Sequence, residues 1–229
     1  MKRHTETEEN YLKCIHRHSG NGKPVSTNTI AKELGTSPAS VTDMVQKLSN
    51  REPEALVNYT KYKGVTLTDE GRKIALRIVR KHRLWEVFLV EVLNFSWDKI
   101  HEVAEQLEHV DSPELIRAID QFLGHPKYDP HGDPIPNEDG IIETREIFPL
   151  SDIESGQMVT IAGVRRSDQD FLQYLDTVGL ILEQEVKVLD RLAFDNSLQL
   201  EIDGNVFIIS GNVAQNVMVL EPEKVENGA

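Results

Sequence analysis

Apolar residues recur at helical spacing from the start of the chain. Within residues 5–18, an acidic first turn precedes Tyr11, Leu12 and Ile15, which share one side of a helix at about 100° per residue. This pattern predicts a first amphipathic helix that ends near His18.

Two shorter amphipathic segments follow, separated by a tight turn. The first predicts a helix that is capped by Thr27 or Asn28 and closed by Gly35. In the second, Ser37 is a favourable N-cap, Pro38 suits the first helical position, and one apolar stripe faces inward. Two helices joined so closely are typical of a helix-turn-helix.

The pattern then changes to alternation. Residues 55–71, ALVNYTKYKGVTLTDEG, alternate apolar and polar positions on both sides of Lys63 and Gly64, which predicts a β-hairpin with a basic tip. The hairpin and the preceding helices together predict a winged helix-turn-helix.

A long helical pattern begins at Asp69. After Arg83 its apolar residues cover so much of the surface that both sides must be buried, which predicts a partner helix or subunit. The short helix HEVAEQLEHV, residues 101–110, comes next. A further helix is predicted with Ser112 as N-cap, and a loop rich in Gly, Pro and Asp follows over residues 124–140.

The last part of the chain contains short β-rich runs. They are MVTIAGV, EVKVLDRL, SLQLEI, NVFIIS and VMVL, with a helix, DQDFLQYLDTVG, predicted after the first. Five short strands in about 70 residues predict a small barrel. The chain is therefore predicted to be a multidomain α+β protein with a winged helix-turn-helix over 1–72, a helical domain over 73–140 and a small β-barrel over 147–223.

Charge is distributed unevenly between these parts. The whole chain has a net charge of −13, but residues 1–81 carry 15 Lys and Arg against 9 Asp and Glu, a net of +6. The remainder carries 10 against 29, a net of −19. A polyanion such as DNA is therefore expected to contact the first third of the chain only.

Composition also limits the compartment. No apolar run approaches the roughly 20 residues that a membrane span needs, and the N-terminus MKRHTETEEN lacks the apolar segment of a secretory signal. The one cysteine, Cys14, cannot form an internal disulfide, which fits a reducing compartment. We expect a cytoplasmic protein without a membrane partner.

The helix-turn-helix offers a surface for double-stranded DNA. Its second helix would enter the major groove with its N-terminal end first, and the residues nearest the bases are Ser37, Ala39, Ser40 and Thr42. Phosphates would be held by Lys47, Lys61 and Lys63. Asp43 repels phosphate, so it either accepts a hydrogen bond from a cytosine amine or points away.

Histidines and carboxylates are concentrated in the middle helices. His82 and Glu86 stand four residues apart, as do His101 and Glu105, and Glu108 and His109 follow directly. One such pair is typical of a solvated charged face, but the repetition in consecutive helices favours a cation site. Imidazole and carboxylate donors without thiolate suit Mn²⁺ or Fe²⁺, while Zn²⁺, Co²⁺ or Ni²⁺ could substitute in vitro, and the number of ligands supports one or two ions per subunit.

Six motifs resemble one known family. Read in order, they are TEENYL, SPASVTDMVQKL, YKGVTLTDEG, RKHRLWEVFL, EQLEHV and HGDPIP, and they resemble the diphtheria-toxin-repressor family of metal-dependent transcriptional regulators over nearly the whole chain. RKHRL and LEHV at this separation, followed by HGDPIP, are the most specific. The final segment, with LDTVGLILEQEVKVLDRL, resembles the SH3-like (FeoA-like) domain that many members carry. The resemblance implies a homodimer paired through a helical dimerisation domain.

The resemblance also implies two metal sites. An ancillary site is implied at His82, Glu86 and His101, with Asp170 of the third domain as a further ligand. A primary site is implied at Glu105, Glu108, His109 and the position of Asn10.

Two departures from the family pattern bear on the metal. Iron-sensing relatives have cysteine at the position of Glu105 and methionine at that of Asn10, whereas manganese-sensing relatives resemble this chain at Glu105 but have aspartate and glutamate at the positions of Asn10 and Lys13. Glutamate in place of a thiolate favours a harder cation, so Mn²⁺ is favoured over Fe²⁺. A charged Lys13 cannot ligate, which excludes a second bridging carboxylate there.

The sequence is therefore interpreted as a metal-dependent transcriptional repressor of metal-homeostasis genes, in which Mn²⁺ or Fe²⁺ orders a homodimer for operator binding. It is expected not to be an enzyme and to need no organic cofactor. Two alternatives remain at this point. They are a two-metal hydrolase, since paired His and carboxylate helices also build such sites, and a metal buffer or chaperone that does not bind DNA.

Overall fold

The computed structural model describes residues 4–221, which form two compact units. The first unit contains residues 4–85, Glu105–Ile119 and Pro136–Ile142. The second contains Glu86–Ala104, Asp120–Ile135 and residues from 143 onward. Among the described residues, no helix has the length and apolar character needed to cross a membrane.

Helix α1, Glu6–His18, begins with reciprocal capping. The Thr5 hydroxyl accepts a hydrogen bond from the Glu8 amide at 3.2 Å, and the Glu8 carboxylate accepts one from the Thr5 amide at 3.1 Å. Both bonds satisfy amides that have no partner within the helix. The predicted first helix is confirmed.

The helix-turn-helix consists of α2, Thr27–Glu33, and α3, Pro38–Ser49. Ser37 caps α3 as predicted, accepting from the Ser40 amide at 3.1 Å. The predicted cap of α2 is wrong by at least one residue. Ser26 is the cap, because its extended backbone lets its hydroxyl accept from the Thr29 amide at 3.0 Å, whereas Thr27 is already helical.

Strands β1, Val57–Thr60, and β2, Gly64–Leu67, pair antiparallel and form the predicted hairpin. Gly64 has a φ of +105°, and an added Cβ there would lie 2.7 Å from the carbonyl oxygen of Val25, so the turn and the close backbone approach both favour glycine. The hairpin packs with α1, α2 and α3 around one apolar core that includes Leu12, Ile15, Val41 and Val45. This arrangement is a winged helix-turn-helix.

Three helices follow, namely α4, Asp69–Glu91, α5, Ile100–Leu107, and α6, Pro113–Phe122. Helix α5 ends at Leu107, so the prediction that HEVAEQLEHV, residues 101–110, is one helix is wrong for its last three residues. Glu108 is fully buried while Glu105 is exposed. The chain turns after Leu107, and the spacing of 100° per residue no longer applies there.

The second unit is built around a six-stranded antiparallel sheet with strand order β3-β8-β4-β5-β6-β7. Its strands are β3, Ile147–Pro149; β4, Met158–Val164; β5, Glu185–Arg191; β6, Leu198–Ile202; β7, Asn205–Ile209; and β8, Val217–Leu220. Helices α7, Gln169–Val178, and α8, Gly211–Asn216, complete the domain.

The five predicted strands and α7 are confirmed in this small SH3-like domain. Strand β3 and helix α8 were not predicted. Strand β3 has only three residues and ends in proline, and α8 has six residues, so neither is long enough to show a period.

Candidate metal centre and nucleic-acid interface

The unit boundary falls within α4, after Trp85, and within α5, after Ala104, so the predicted ligands divide into two groups. The first unit contains Asn10, His82, Glu105, Glu108 and His109. The second contains Glu86, His101 and Asp170. On α4 itself, His82 and Glu86 lie one helical turn apart and share a face.

Glu108 is the most buried of the predicted ligands. Its Oε2 atom accepts hydrogen bonds from the Lys13 ammonium and from His82 Nδ1, both at 2.5 Å. Burial alone would raise the pKa of Glu108, but the hydrogen bond from His82 and the charge of Lys13 hold it below its ordinary value. Its other oxygen, Oε1, is buried and has no hydrogen-bond partner among the described residues.

His109 faces that oxygen. Its Nδ1 lies 2.6 Å from Glu9 Oε2, and an ionised carboxylate can only accept, so Nδ1 carries the hydrogen in this contact. In the neutral ring the lone pair is then on Nε2, which lies 3.8 Å from Glu108 Oε1. This distance is too long for a hydrogen bond and within reach of two donors bound to one ion. The residues present therefore fit a divalent cation.

Helix α1 contributes Glu9 and Lys13 to this centre, neither of which was predicted to be part of it. Asn10, the predicted residue, is exposed on α1. Glu9 belongs to an acidic first turn that is ordinary at a helix N-terminus, so no sequence signal distinguishes it. The predicted exclusion of Lys13 as a ligand fits its contacts, because its ammonium lies 2.5 Å from Glu108 and 3.8 Å from Glu105.

In the second unit, His101 Nδ1 lies 3.3 Å from Glu86 Oε1. Glu86 is buried, and the side chain of His101 is half exposed. Asp170 is exposed on α7 and is not among the described residues whose ligand atoms group closely enough for an ion. The side chains of Gln169 and Gln173, on the same helix, donate hydrogen bonds to the carboxylate of Asp98.

The predicted DNA-reading residues lie on the outer side of α3. Ser37, Ala39, Ser40 and Asp43 are exposed, and Thr42 is half-buried. The hydroxyls of Ser37 and Ser40 are 2.9 Å apart, and the Thr42 hydroxyl donates to the carbonyl oxygen of Pro38 at 2.9 Å. Ala39 is exposed in the first turn, and an alanine can contact a thymine methyl group.

The three predicted phosphate-binding lysines differ in their surroundings. Lys61 and Lys63 are exposed in the turn between β1 and β2, next to Tyr62, which is 93% exposed. The ammonium of Lys47 lies 3.1 Å from Glu8 and therefore ties α3 to α1.

Three family models match consecutive parts of the chain. The iron-dependent repressor N-terminal DNA-binding domain matches residues 3–65, the iron-dependent repressor metal-binding and dimerisation domain matches residues 68–137, and the FeoA domain matches residues 148–221. A solved manganese-dependent transcriptional repressor in complex with manganese is 36% identical, with a TM-score of 0.75 over 93% of this chain and 99% of that chain.

The chain belongs to the iron-dependent repressor family. Among its relatives, the iron-dependent repressor IdeR of Mycobacterium leprae is 28% identical over 89% of this chain and 88% of its own length. The solved structure of ScaR with bound Cd²⁺ is 34% identical, with a TM-score of 0.68 over 93% of this chain and 98% of that chain.

Membership decides between the functions that the sequence left open. The chain is a metal-dependent, DNA-binding transcriptional repressor of a family that dimerises, and its homologues include manganese-dependent and iron-dependent repressors. Members of this family are transcriptional repressors and not enzymes, so the hydrolase interpretation is wrong. A metal buffer without DNA binding is excluded for the same reason.

Proposed function

We propose that the chain is a homodimeric repressor that binds operator DNA when Mn²⁺ occupies a primary site made by Glu105, Glu108 and His109, with Fe²⁺ as the second candidate. The oxygen and nitrogen donors favour Mn²⁺ over Fe²⁺, because position 105 has a glutamate, a harder ligand than a thiolate. The solved relative that contains manganese supports the same assignment. Asn10 remains a candidate for a further ligand, through a rotation of its exposed side chain.

We further propose that Glu86 and His101 belong to an ancillary site, with His82 on the preceding turn of α4. Asp170 stays a proposal from family resemblance. The division into domains at 1–72, 73–140 and 147–223 is proposed on the strength of the three family models, whose matched ranges lie close to those limits or inside them.

The observation that carries the proposal is the buried Oε1 of Glu108, which has no described hydrogen-bond partner and faces the Nε2 of His109. A bound cation supplies the positive charge that these two donors share. Glu9 holds His109 in the orientation that this requires, and Glu9 is part of α1.

Helix α1 is the link between the metal centre and the DNA-reading helix. Its Leu12 and Ile15 are fully buried in the same core as Val41 and Val45 of α3, so a shift of α1 moves that core as well. In the absence of metal, Lys13 neutralises Glu108. We propose that Lys13 gives up this carboxylate when a cation is bound and that α1 then settles in the position that DNA binding needs.

The dimer is proposed to use apolar surface of the helical region. Leu93, Phe95 and Phe122 are exposed, with exposed fractions of 51%, 40% and 68%, and Phe122 packs on Phe88 with ring centroids 6.4 Å apart. Large apolar side chains that stay exposed in a single subunit support an interface with a second subunit in this region. Two winged helices about one duplex turn apart would then meet a palindromic operator.

The test is a titration of the protein on DNA from upstream of its own gene, at fixed salt, with Mn²⁺, with Fe²⁺ without oxygen, and with Zn²⁺. We expect Mn²⁺ to switch on binding, and Glu105→Cys to shift the response toward Fe²⁺ or Zn²⁺. Metal and DNA must strengthen each other's binding equally, typically by about 1–3 kcal/mol. A DNA affinity that no metal changes would contradict the proposal.

A further inference from the structure

The loop after α6 brings three buried ligand side chains together. Glu86, Asp129 and His131 each offer one donor atom, and these atoms all lie within 4.8 Å of one another. The exposed fractions are 2%, 3% and 8%, and all three residues belong to the second unit. We propose that they form a site for a divalent cation of the first transition row, on the loop side of Glu86.

His131 is held in the orientation that a ligand needs. Its Nε2 lies 3.3 Å from the carbonyl oxygen of Trp97, which can only accept, so Nε2 carries the hydrogen in this contact. The other nitrogen, Nδ1, then presents its lone pair to Glu86 Oε1 at 3.9 Å. Two donors that each lie about 2.1 Å from an ion can be at most about 4.2 Å apart, so one cation fits between them.

Asp129 is fixed by the turn that it starts. Its Oδ1 accepts hydrogen bonds from the amides of His131 at 2.8 Å and Asp133 at 3.0 Å. The carboxylate is therefore oriented before any ion binds.

The backbone of the loop is held against the sheet. The Val164 amide of β4 donates to the carbonyl oxygen of His131 at 3.0 Å. Gly132 has a φ of +89°, and an added Cβ would lie 2.1 Å from the carbonyl oxygen of Ala162, so only glycine allows this approach. The indole of Trp97 stacks on the His131 ring, with centroids 6.0 Å apart and planes inclined by 14°. These contacts make a rigid site from residues that lie far apart in sequence.

The donor set indicates the class of cation. One imidazole nitrogen and two carboxylates suit Mn²⁺, Fe²⁺, Co²⁺ or Zn²⁺, whereas Ca²⁺ and Mg²⁺ prefer oxygen alone. The inference rests on the proposed function for the presence of such a metal. It adds Asp129 and His131, which the proposed ancillary set of His82, Glu86 and His101 does not include.

The test compares Mn²⁺ binding to the full-length wild type and to Asp129→Asn and His131→Gln by calorimetry and by the loss of free Mn²⁺ signal in electron paramagnetic resonance. Asp129→Asn keeps an oxygen for the two turn amides and removes the charged ligand. The matched control is His125→Asn, since His125 is an exposed loop histidine with a φ of +60°, a conformation that asparagine tolerates.

We expect both test variants to bind one Mn²⁺ fewer per subunit than the wild type, and the control to bind the same number. Wild-type stoichiometry and affinity in either test variant would overturn the three-ligand site. If metal switches on DNA binding in the wild type while both variants bind metal like the wild type, the inference fails and the proposed function stands. If no metal affects DNA binding, the proposed function fails separately.

A third variant provides a test that does not depend on whether Asp129→Asn and His131→Gln fold, because it produces a new absorption band. His131→Cys places a thiolate at the proposed position, and Co²⁺ bound there gives a sulfur-to-metal charge-transfer band in the near ultraviolet. The wild type has only the buried Cys14 and is expected to lack the band. A folded His131→Cys protein that binds Co²⁺ without this band would also overturn the site.

Discussion

Lys13 supplies a positive charge within the proposed primary metal site, and its removal tests that role. Its ammonium lies 2.5 Å from the Oε2 of Glu108, and the exposed fractions of the two side chains are 16% and 1%. We predict that Lys13→Met destabilises the metal-free protein, because it leaves a buried carboxylate with His82 as its main partner. It should also strengthen Mn²⁺ binding, because no ammonium then competes for that oxygen.

The size of the effect follows from the burial of the pair. Breaking a buried ion pair by removing one partner costs about 3–5 kcal/mol, and the remaining His82 contact and partial exposure of Lys13 reduce this to roughly 2–3 kcal/mol. If a bound cation restores this free energy, the affinity for Mn²⁺ rises by the same amount. Since about 1.4 kcal/mol corresponds to a factor of ten, the gain is on the order of 30-fold to 140-fold.

The assay is urea unfolding followed by circular dichroism, in chelator and in saturating Mn²⁺, together with calorimetry of Mn²⁺ binding. The control is Lys73→Met, which removes an exposed ion pair with Glu70 at 3.7 Å and should cost less than about 1 kcal/mol. Equal stability of Lys13→Met and wild type in chelator would refute the reasoning. So would an unchanged or weaker affinity for Mn²⁺.

Three further predictions follow from separate features. Replacing Lys61 and Lys63 by alanine should weaken binding to all DNA sequences alike. The slope of log affinity against log salt concentration should fall by about 0.9 for each phosphate that is no longer neutralised. An unchanged slope would show that the hairpin does not contact the DNA. Gly132→Ala should lower the free energy of unfolding, measured by thermal unfolding, by more than about 2 kcal/mol, because its Cβ would meet the β4 backbone. The control Gly124→Ala has a φ of +73° but open space around the added Cβ, so it should lose about 1 kcal/mol. Equal losses would contradict the close approach at Gly132. Burial raises the pKa of the Cys14 thiol to about 11 from 9.0, so its thiolate fraction at pH 8 falls about 100-fold. Alkylation of Cys14 should therefore be at least about 100-fold slower in the folded protein than in urea. Similar rates would show that the thiol is accessible.

The sequence by itself determined the local structure and the chemical type of the site. The N-caps, the apolar stripes and the alternation around the hairpin are properties of neighbouring residues, so the winged helix and most of the strands could be predicted from them. The donor types at positions 105, 108 and 109 were equally readable, since the preference for a hard cation follows from the side chains alone.

Tertiary structure alone decided which groups meet. Glu9 contacts His109, 100 positions away in the sequence, and Lys13 contacts Glu108, 95 positions away. The spacing of apolar and polar residues cannot predict contacts between residues so far apart. The loop residue His131 likewise lies beside Glu86 of α4, and no local sequence pattern pairs these two residues. Periodicity reveals which side of an element is apolar, whereas the partner across the core depends on how the whole chain packs.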